Sequence, residues 1–181
     1  MILTTHAIVG ASIASFMPSH PVTAAALAFA SHFALDAIPH WDYPIRSALN
    51  LRAGSTPAQA QGRALYAHPL FRDLGKIGLD ALTGCVLAVA LFATPQTVWV
   101  ILLGAAAAML PDPLQVLHKR FPREPLATLQ RFHVWIHTNR RMENQAALGI
   151  LTQTAFALLV IGSTFALHHA IAGGASVLPI N

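Results

Sequence analysis

The sequence predicts an all-α fold, a multi-spanning transmembrane helical bundle of about five short helices with an interfacial helix in the last cytoplasmic loop. Three observations carry this expectation. Of 181 residues, 55% are hydrophobic and only 10% charged, whereas soluble domains run near a quarter charged; mean hydropathy is +0.55. The apolar residues fall into five segments, at residues 3–16, 22–38, 77–92, 97–110 and 146–171. The basic residues are confined to two long polar stretches between them. A single membrane-embedded domain over 1–181 accounts for the length, because so many spans leave little chain for a separate unit.

The first two segments are joined by "MPSHP", a tight turn bracketed by Pro18 and Pro21, and should form a helical hairpin. Several segments fall short of the ~20 helical residues that a ~30 Å hydrocarbon core requires, so the hairpin is expected just to span or to enter part way. Further breaks fall at the polar stretch 39–76, at "ATPQ", and over 111–144. Within 39–76, the run "NLRAGSTPAQAQGRA" (50–64) reads as a mobile loop, with a lid left open as its role. The amino-terminal run lacks the basic region of a secretory signal and is read as retained.

Lys and Arg are held on the cytoplasmic side. Arg46, Arg52, Arg63, Arg72 and Lys76 lie in one polar stretch; Lys119, Arg120, Arg123, Arg131, Arg140 and Arg141 lie in the other. Both are therefore expected in the cytoplasm, with the amino terminus inside and the carboxyl terminus outside. A net charge of +4 spread in this way fits anionic lipid better than nucleic acid, which is not expected as a partner. Cys85 stands alone in an apolar segment, which excludes an intrachain disulfide and a Cys-based zinc site.

This topology gathers the acidic residues at one face. In "HFALD", His32 and Asp36 are spaced i, i+4 and share a helix face. Pro39 ends the helix near Ile38, so that His40 and Asp42 fold back over its end. Imidazoles beside a carboxylate are the ligand set of zinc, manganese or iron; the plainer alternative is a polar helix end paired with Arg46 or lipid headgroups. His6, one turn into the first helix, is a further ligand if it faces the second. Asp80 and Asp112 bring carboxylates to the same plane, although Lys76 could pair with Asp80 and Asp112 could cap a following helix. His133 and His137 in "RFHVWIHTNRR" again stand at i, i+4, without the Glu of an HExxH zinc protease. That aromatic, Arg-flanked stretch reads either as an interfacial anchor or as a lid that supplies ligands or an acid to the site.

"THAIVG", "HFALD" with "PH" after it, and an Asp-Pro following a later apolar helix together resemble the bacterial inner-membrane metal-dependent hydrolases. "HFALDAIPH" is also similar to the zinc-binding stretch of zinc-dependent phospholipases C. The resemblance implies metal-dependent hydrolysis, with His6, His32 and Asp36 as the residues that carry over. It covers mainly residues 4–42 and 109–113.

The expected function is a metal-dependent hydrolase of the bacterial inner membrane acting on a lipid-linked, phosphoester substrate at the inner leaflet. His6, His32, Asp36, His40, Asp80 and Asp112 form the ligand pool, with zinc expected before manganese or iron. Asp42 is the expected base, and His133 or His137 the group that protonates the leaving group, while the metal activates water. Membrane lipid is the expected partner, and homo-oligomerisation is left open. A divalent-cation transporter is the first alternative, but it needs polar groups across the full depth where the outer halves of the segments read as apolar. A non-enzymatic scaffold held by a polar cluster is the second.

Overall fold

A computed structural model describes residues 1–42, 69–138 and 145–175. Among them are seven helices and no strand: α1 (Leu3–Ser15), α2 (Pro21–Asp36), α3 (Pro69–Phe92), α4 (Val98–Met109), α5 (Pro111–Arg120), α6 (Leu126–Ile136) and α7 (Ala146–Ala175). All five apolar segments are helical, as their composition demands. The expected loop at 50–64, and with it the question of a lid there, lies outside the described residues.

The expected multi-spanning bundle of about five short helices is met in part. Among the described residues, two helices are long and apolar enough to cross a membrane, Phe71–Phe92 and Ala146–Gly173. A third is obtained if Val98–Met109 and Pro111–His118, bent by 44° at their junction, count as one. The bend has a local cause, since Pro111 has no N–H to donate into the preceding turn and the helix restarts on it. Thirteen residues of α1 reach only about 20 Å at 1.5 Å per residue, and α2 has sixteen.

The short helix lies at the centre. α1 packs on α2, α3, α4 and α7, and Leu3, Ala7, Ile8, Ala11 and Ala14 are all buried. Enclosed by protein, α1 has no need to match a bilayer's thickness. The two long helices lie outside it, with only 11% of each spanning window buried. Leu79, Leu82 and Val86 on α3, and Leu151, Leu158, Leu159 and Ile171 on α7, are each more than half exposed. That apolar surface is suited to lipid rather than to water.

Small residues set how closely the helices approach. A Cβ on Gly10 of α1 would stand 2.3 Å from the Gly104 carbonyl oxygen of α4, and one on Gly104 would stand 2.5 Å from the Gly10 oxygen. At Gly84 of α3 a Cβ would come within 2.8 Å of the Ala7 Cβ. Polar bonds add register along α7. The Ile2 N–H donates to Gln153 Oε1 at 3.1 Å, Ser12 and Thr164 hydroxyls bond at 2.7 Å, and Ser15 Oγ meets His168 Nε2 at 3.0 Å. The sequence suggests a wholly apolar end of α1 remote from His6; the structure instead has hydroxyls there, bonded to Thr164, His168 and the Ser12 carbonyl.

Candidate metal centre

α2 ends where its sequence directs. The Ala37 and Ile38 N–H groups still bond to Phe33 and Leu35 carbonyls, then Pro39 stops the helix. His32 and Asp36 are left on one face of the last turn, His32 Nε2 standing 3.1 Å from Asp36 Oδ2. The chain then turns back, and His40 Nε2 comes to 3.9 Å from Asp36 Oδ1 and 3.2 Å from Asp42 Oδ2. From α1, His6 Nε2 reaches Asp36 Oδ1 at 3.3 Å, and its ring stacks on His32 at 4.1 Å.

α6 closes the cluster from the other side. His133 Nε2 lies 3.0 Å from Asp36 Oδ2 and His137 Nε2 lies 3.9 Å from the same oxygen. The helix is pinned there, because the Thr138 N–H donates to the Asp36 carbonyl at 2.9 Å and Phe132 packs edge-on against Phe33. Its amphipathicity supplies the orientation: His133 is buried while Val134 and Trp135 are 65% and 77% exposed. α6 thereby brings the imidazoles of His133 and His137 to the cluster. The bend after α4 places Asp112, whose Oδ1 lies 3.7 Å from His32 Nε2. Five imidazoles thus surround one carboxylate, with His6, His32, Asp36, His40 and His133 each no more than 2% exposed.

Backbone carbonyls choose the tautomers. His32 Nδ1 lies 2.8 Å from the Ala108 oxygen, His40 Nδ1 2.7 Å from the Ile38 oxygen, and His137 Nδ1 3.0 Å from the Thr138 oxygen. A carbonyl only accepts, so each Nδ1 carries a proton and each ring turns its Nε2 inward. This is the usual bonding of a metal-ligating histidine. His133 differs, since its Nδ1 faces the Gln115 amide at 3.5 Å, which can serve either tautomer by rotating about its terminal bond. At His137 burial pushes the pKa below the ordinary histidine value, further than the Thr138 bond and Asp36 raise it. The ring is therefore neutral at pH 7, as a ligand must be.

Lone pairs directed at a carboxylate repel unless a cation lies between them or the rings take up protons. Both ring nitrogens of His6 and Nε2 of His32 are buried with no hydrogen-bond partner among the described residues, and such atoms are costly to leave unpaired. The donor set fits a divalent cation of the zinc class. Ligand atoms of His32, Asp36, Asp112 and His133 lie within 4.8 Å of one another, as do those of Asp36, His40 and His137. The Met1 amino nitrogen also reaches the cluster, 3.1 Å from Asp36 Oδ1 and 2.8 Å from Asp42 Oδ1. Burial works to raise the Asp42 carboxyl, but the bond to His40 and the nearby amine outweigh it and hold the group below the usual carboxylate range.

The structure brings His6, His32, Asp36, His40, Asp42, Asp112, His133 and His137 together. It directs Asp80 elsewhere: Oδ2 accepts from the Leu3 N–H at 2.7 Å, and Oδ1 from the Thr4 N–H at 3.0 Å and the Thr4 hydroxyl at 2.6 Å. Asp80 therefore caps α1, satisfying first-turn donors that the helix itself leaves open. The pairing considered for Lys76 falls instead to Asp73, at 3.7 Å. Arg131 donates to Glu124 and Thr128, and Arg140 and Arg141 lie outside the described residues. Sequence reading missed Gln115 and Gln153. Gln153 accepts from Ile2 and donates to the Trp41 carbonyl at 2.8 Å; a lone amide in the apolar run "GILTQTAFALL" was its signal.

No protein-family model, curated protein or solved structure matches the chain.

Proposed function

We propose that the chain is a metal-dependent hydrolase of the bacterial cytoplasmic membrane, acting on a lipid-linked phosphoester at the inner-leaflet interface. The observation that carries this reading is the convergence of buried imidazole Nε2 atoms on Asp36, with Nδ1 of three rings already tied to carbonyls. A buried structural cluster has no need of unsatisfied lone pairs, whereas a metal centre requires them. His32, Asp36, Asp112 and His133 would hold the ion, zinc by preference for this nitrogen and carboxylate set, with manganese or iron as alternatives. When bound, the ion supplies a Lewis acid and acidifies water.

The chain's own groups divide by exposure. The Asp112 and Asp42 side chains are 37% and 43% exposed, and His137 is 18% exposed, so these three mark the mouth. Asp42 is placed to take a proton from the attacking water, and His137 to pass one to a leaving oxygen. Ile38 and Leu110, each 45% exposed, stand two residues before His40 and Asp112 and give an acyl chain an apolar surface beside the polar centre. This supports a substrate with a lipid tail. The distribution of Lys and Arg supports placing that mouth on the cytoplasmic side.

The test is phosphate or headgroup release from a panel of lipid phosphoesters in detergent micelles. The expected result is turnover by the zinc-loaded protein that is lost on chelation, restored by zinc, and absent in His32→Ala. Turnover insensitive to chelation would contradict the reading.

A further inference from the structure

We propose that Gln153 of α7 is a positioning residue for the candidate centre. Its amide joins the turn that carries Asp42 to the start of α1, which carries His6, a role that rests on the reading of Asp42 as the base.

α7 meets the rest of the protein through few side chains. Of those described on it, Gly149, Gln153 and Thr164 alone are buried, and the first two, spaced i, i+4, share a face. Gln153 Oε1 accepts from the Ile2 N–H at 3.1 Å, while Nε2 donates to the carbonyls of Trp41 at 2.8 Å and of Gly149 at 3.2 Å. These partners fix which end of the amide is oxygen, since an N–H needs an acceptor and carbonyls need donors. Gly149 makes room for the same turn. A Cβ there would collide with the Trp41 Cβ and stand 3.3 Å from its Cα and nitrogen, atoms that cannot rotate aside. Trp41 lies between His40 and Asp42, and Ile2 is the cap of α1, four residues before His6. Apolar packing has no need of an amide in this helix, because a buried polar group is costly unless it is bonded. Here it is bonded to the backbones of both segments. A base acts only within hydrogen-bond reach of the proton it takes, so a small displacement of Asp42 is felt in the rate.

The experiment compares three variants with wild type. Gln153→Met keeps the side chain's length without donor or acceptor, Gly149→Ala pushes Trp41 away, and Gly162→Ala is the control, with nothing within 4 Å of its Cβ. Zinc-loaded full-length protein in detergent micelles is given hexadecyl 4-nitrophenyl phosphate, a lipid-tailed phosphodiester whose leaving group needs no acid. The expected result is kcat lowered about 100-fold, the cost of a misplacement near 1 Å, in both Gln153→Met and Gly149→Ala. KM and zinc per folded chain should stay at wild-type values, because the lost interaction belongs to the transition state, and Gly162→Ala should match wild type. Wild-type kcat in Gln153→Met would overturn the positioning role and leave the hydrolase reading intact. So would a loss of activity that merely follows a loss of zinc or of folded protein. A wild type that releases no nitrophenol would defeat the hydrolase reading and this role with it. A second measurement is independent of turnover. In a Trp99→Phe/Trp135→Phe background Trp41 is the sole tryptophan, and Gln153→Met should raise its quenching by acrylamide; unchanged quenching would also overturn the role.

Discussion

Asp80 shows how far a residue type alone can mislead. A carboxylate one turn inside the apolar segment 77–92 is costly and therefore reads as functional. Its oxygens are nevertheless committed to the start of α1, a contact between residues 77 positions apart that periodicity does not reveal. Asp80→Ala should leave the Leu3 and Thr4 N–H groups without their acceptor, costing about 1–3 kcal/mol. Thermal unfolding in detergent should show a lower midpoint with metal content per folded chain unchanged; loss of metal at an unchanged midpoint would return Asp80 to the ligands. By contrast, the i, i+4 pairs at His32/Asp36 and His133/His137 were legible, because helical spacing fixes which side chains share a face. The carbonyls of Ala108, Ile38 and Thr138 that choose the tautomers were not, since any residue type supplies a carbonyl.

At the scale of elements, apolar segments announced the helices but not which of them cross. α1 reads as a marginal span from its length, and the structure makes it the enclosed centre. The signal lay in its small residues: Ala7, Gly10, Ala11 and Ala14 make a face that only close neighbours fill. Gly10→Val would drive a side chain into the Gly104 carbonyl, costing about 3 kcal/mol, the upper part of the range for overpacking. Because α1 carries His6 and α4 carries the Ala108 carbonyl that holds His32, metal retention should fall with stability. Gly162→Ala, where a Cβ meets nothing within 4 Å, is the matched control and should be neutral or slightly stabilising. On α6, Trp135 points away from the buried His133. Trp135→Gln should keep the wild-type metal content, whereas His133→Ala should lose it; equal losses would mean that α6 acts only by packing.

For the whole molecule, the prediction concerns orientation. The positive-inside rule predicts that the α5–α6 region faces the cytoplasm and the far end of α7 the outside. Cys85 is the sole cysteine, so a Cys85→Ser background allows single reporters at two exposed positions. Glu124→Cys should react with a membrane-impermeant maleimide only after cells are broken, and His169→Cys in intact cells. The reverse pattern would invert the topology and move the metal centre to the other leaflet.

The proposed function requires that the histidines around Asp36 hold a metal rather than serve as a structural knot. Inductively coupled plasma mass spectrometry of detergent-purified wild type, His32→Ala and Asp36→Asn, compared at matched folding, separates the two. The expected result is zinc, manganese or iron at one or more ions per wild-type chain and loss of metal in both variants. A wild type that stays metal-free after reconstitution with each of these ions would contradict it and leave a structural polar cluster as the explanation for the five histidines.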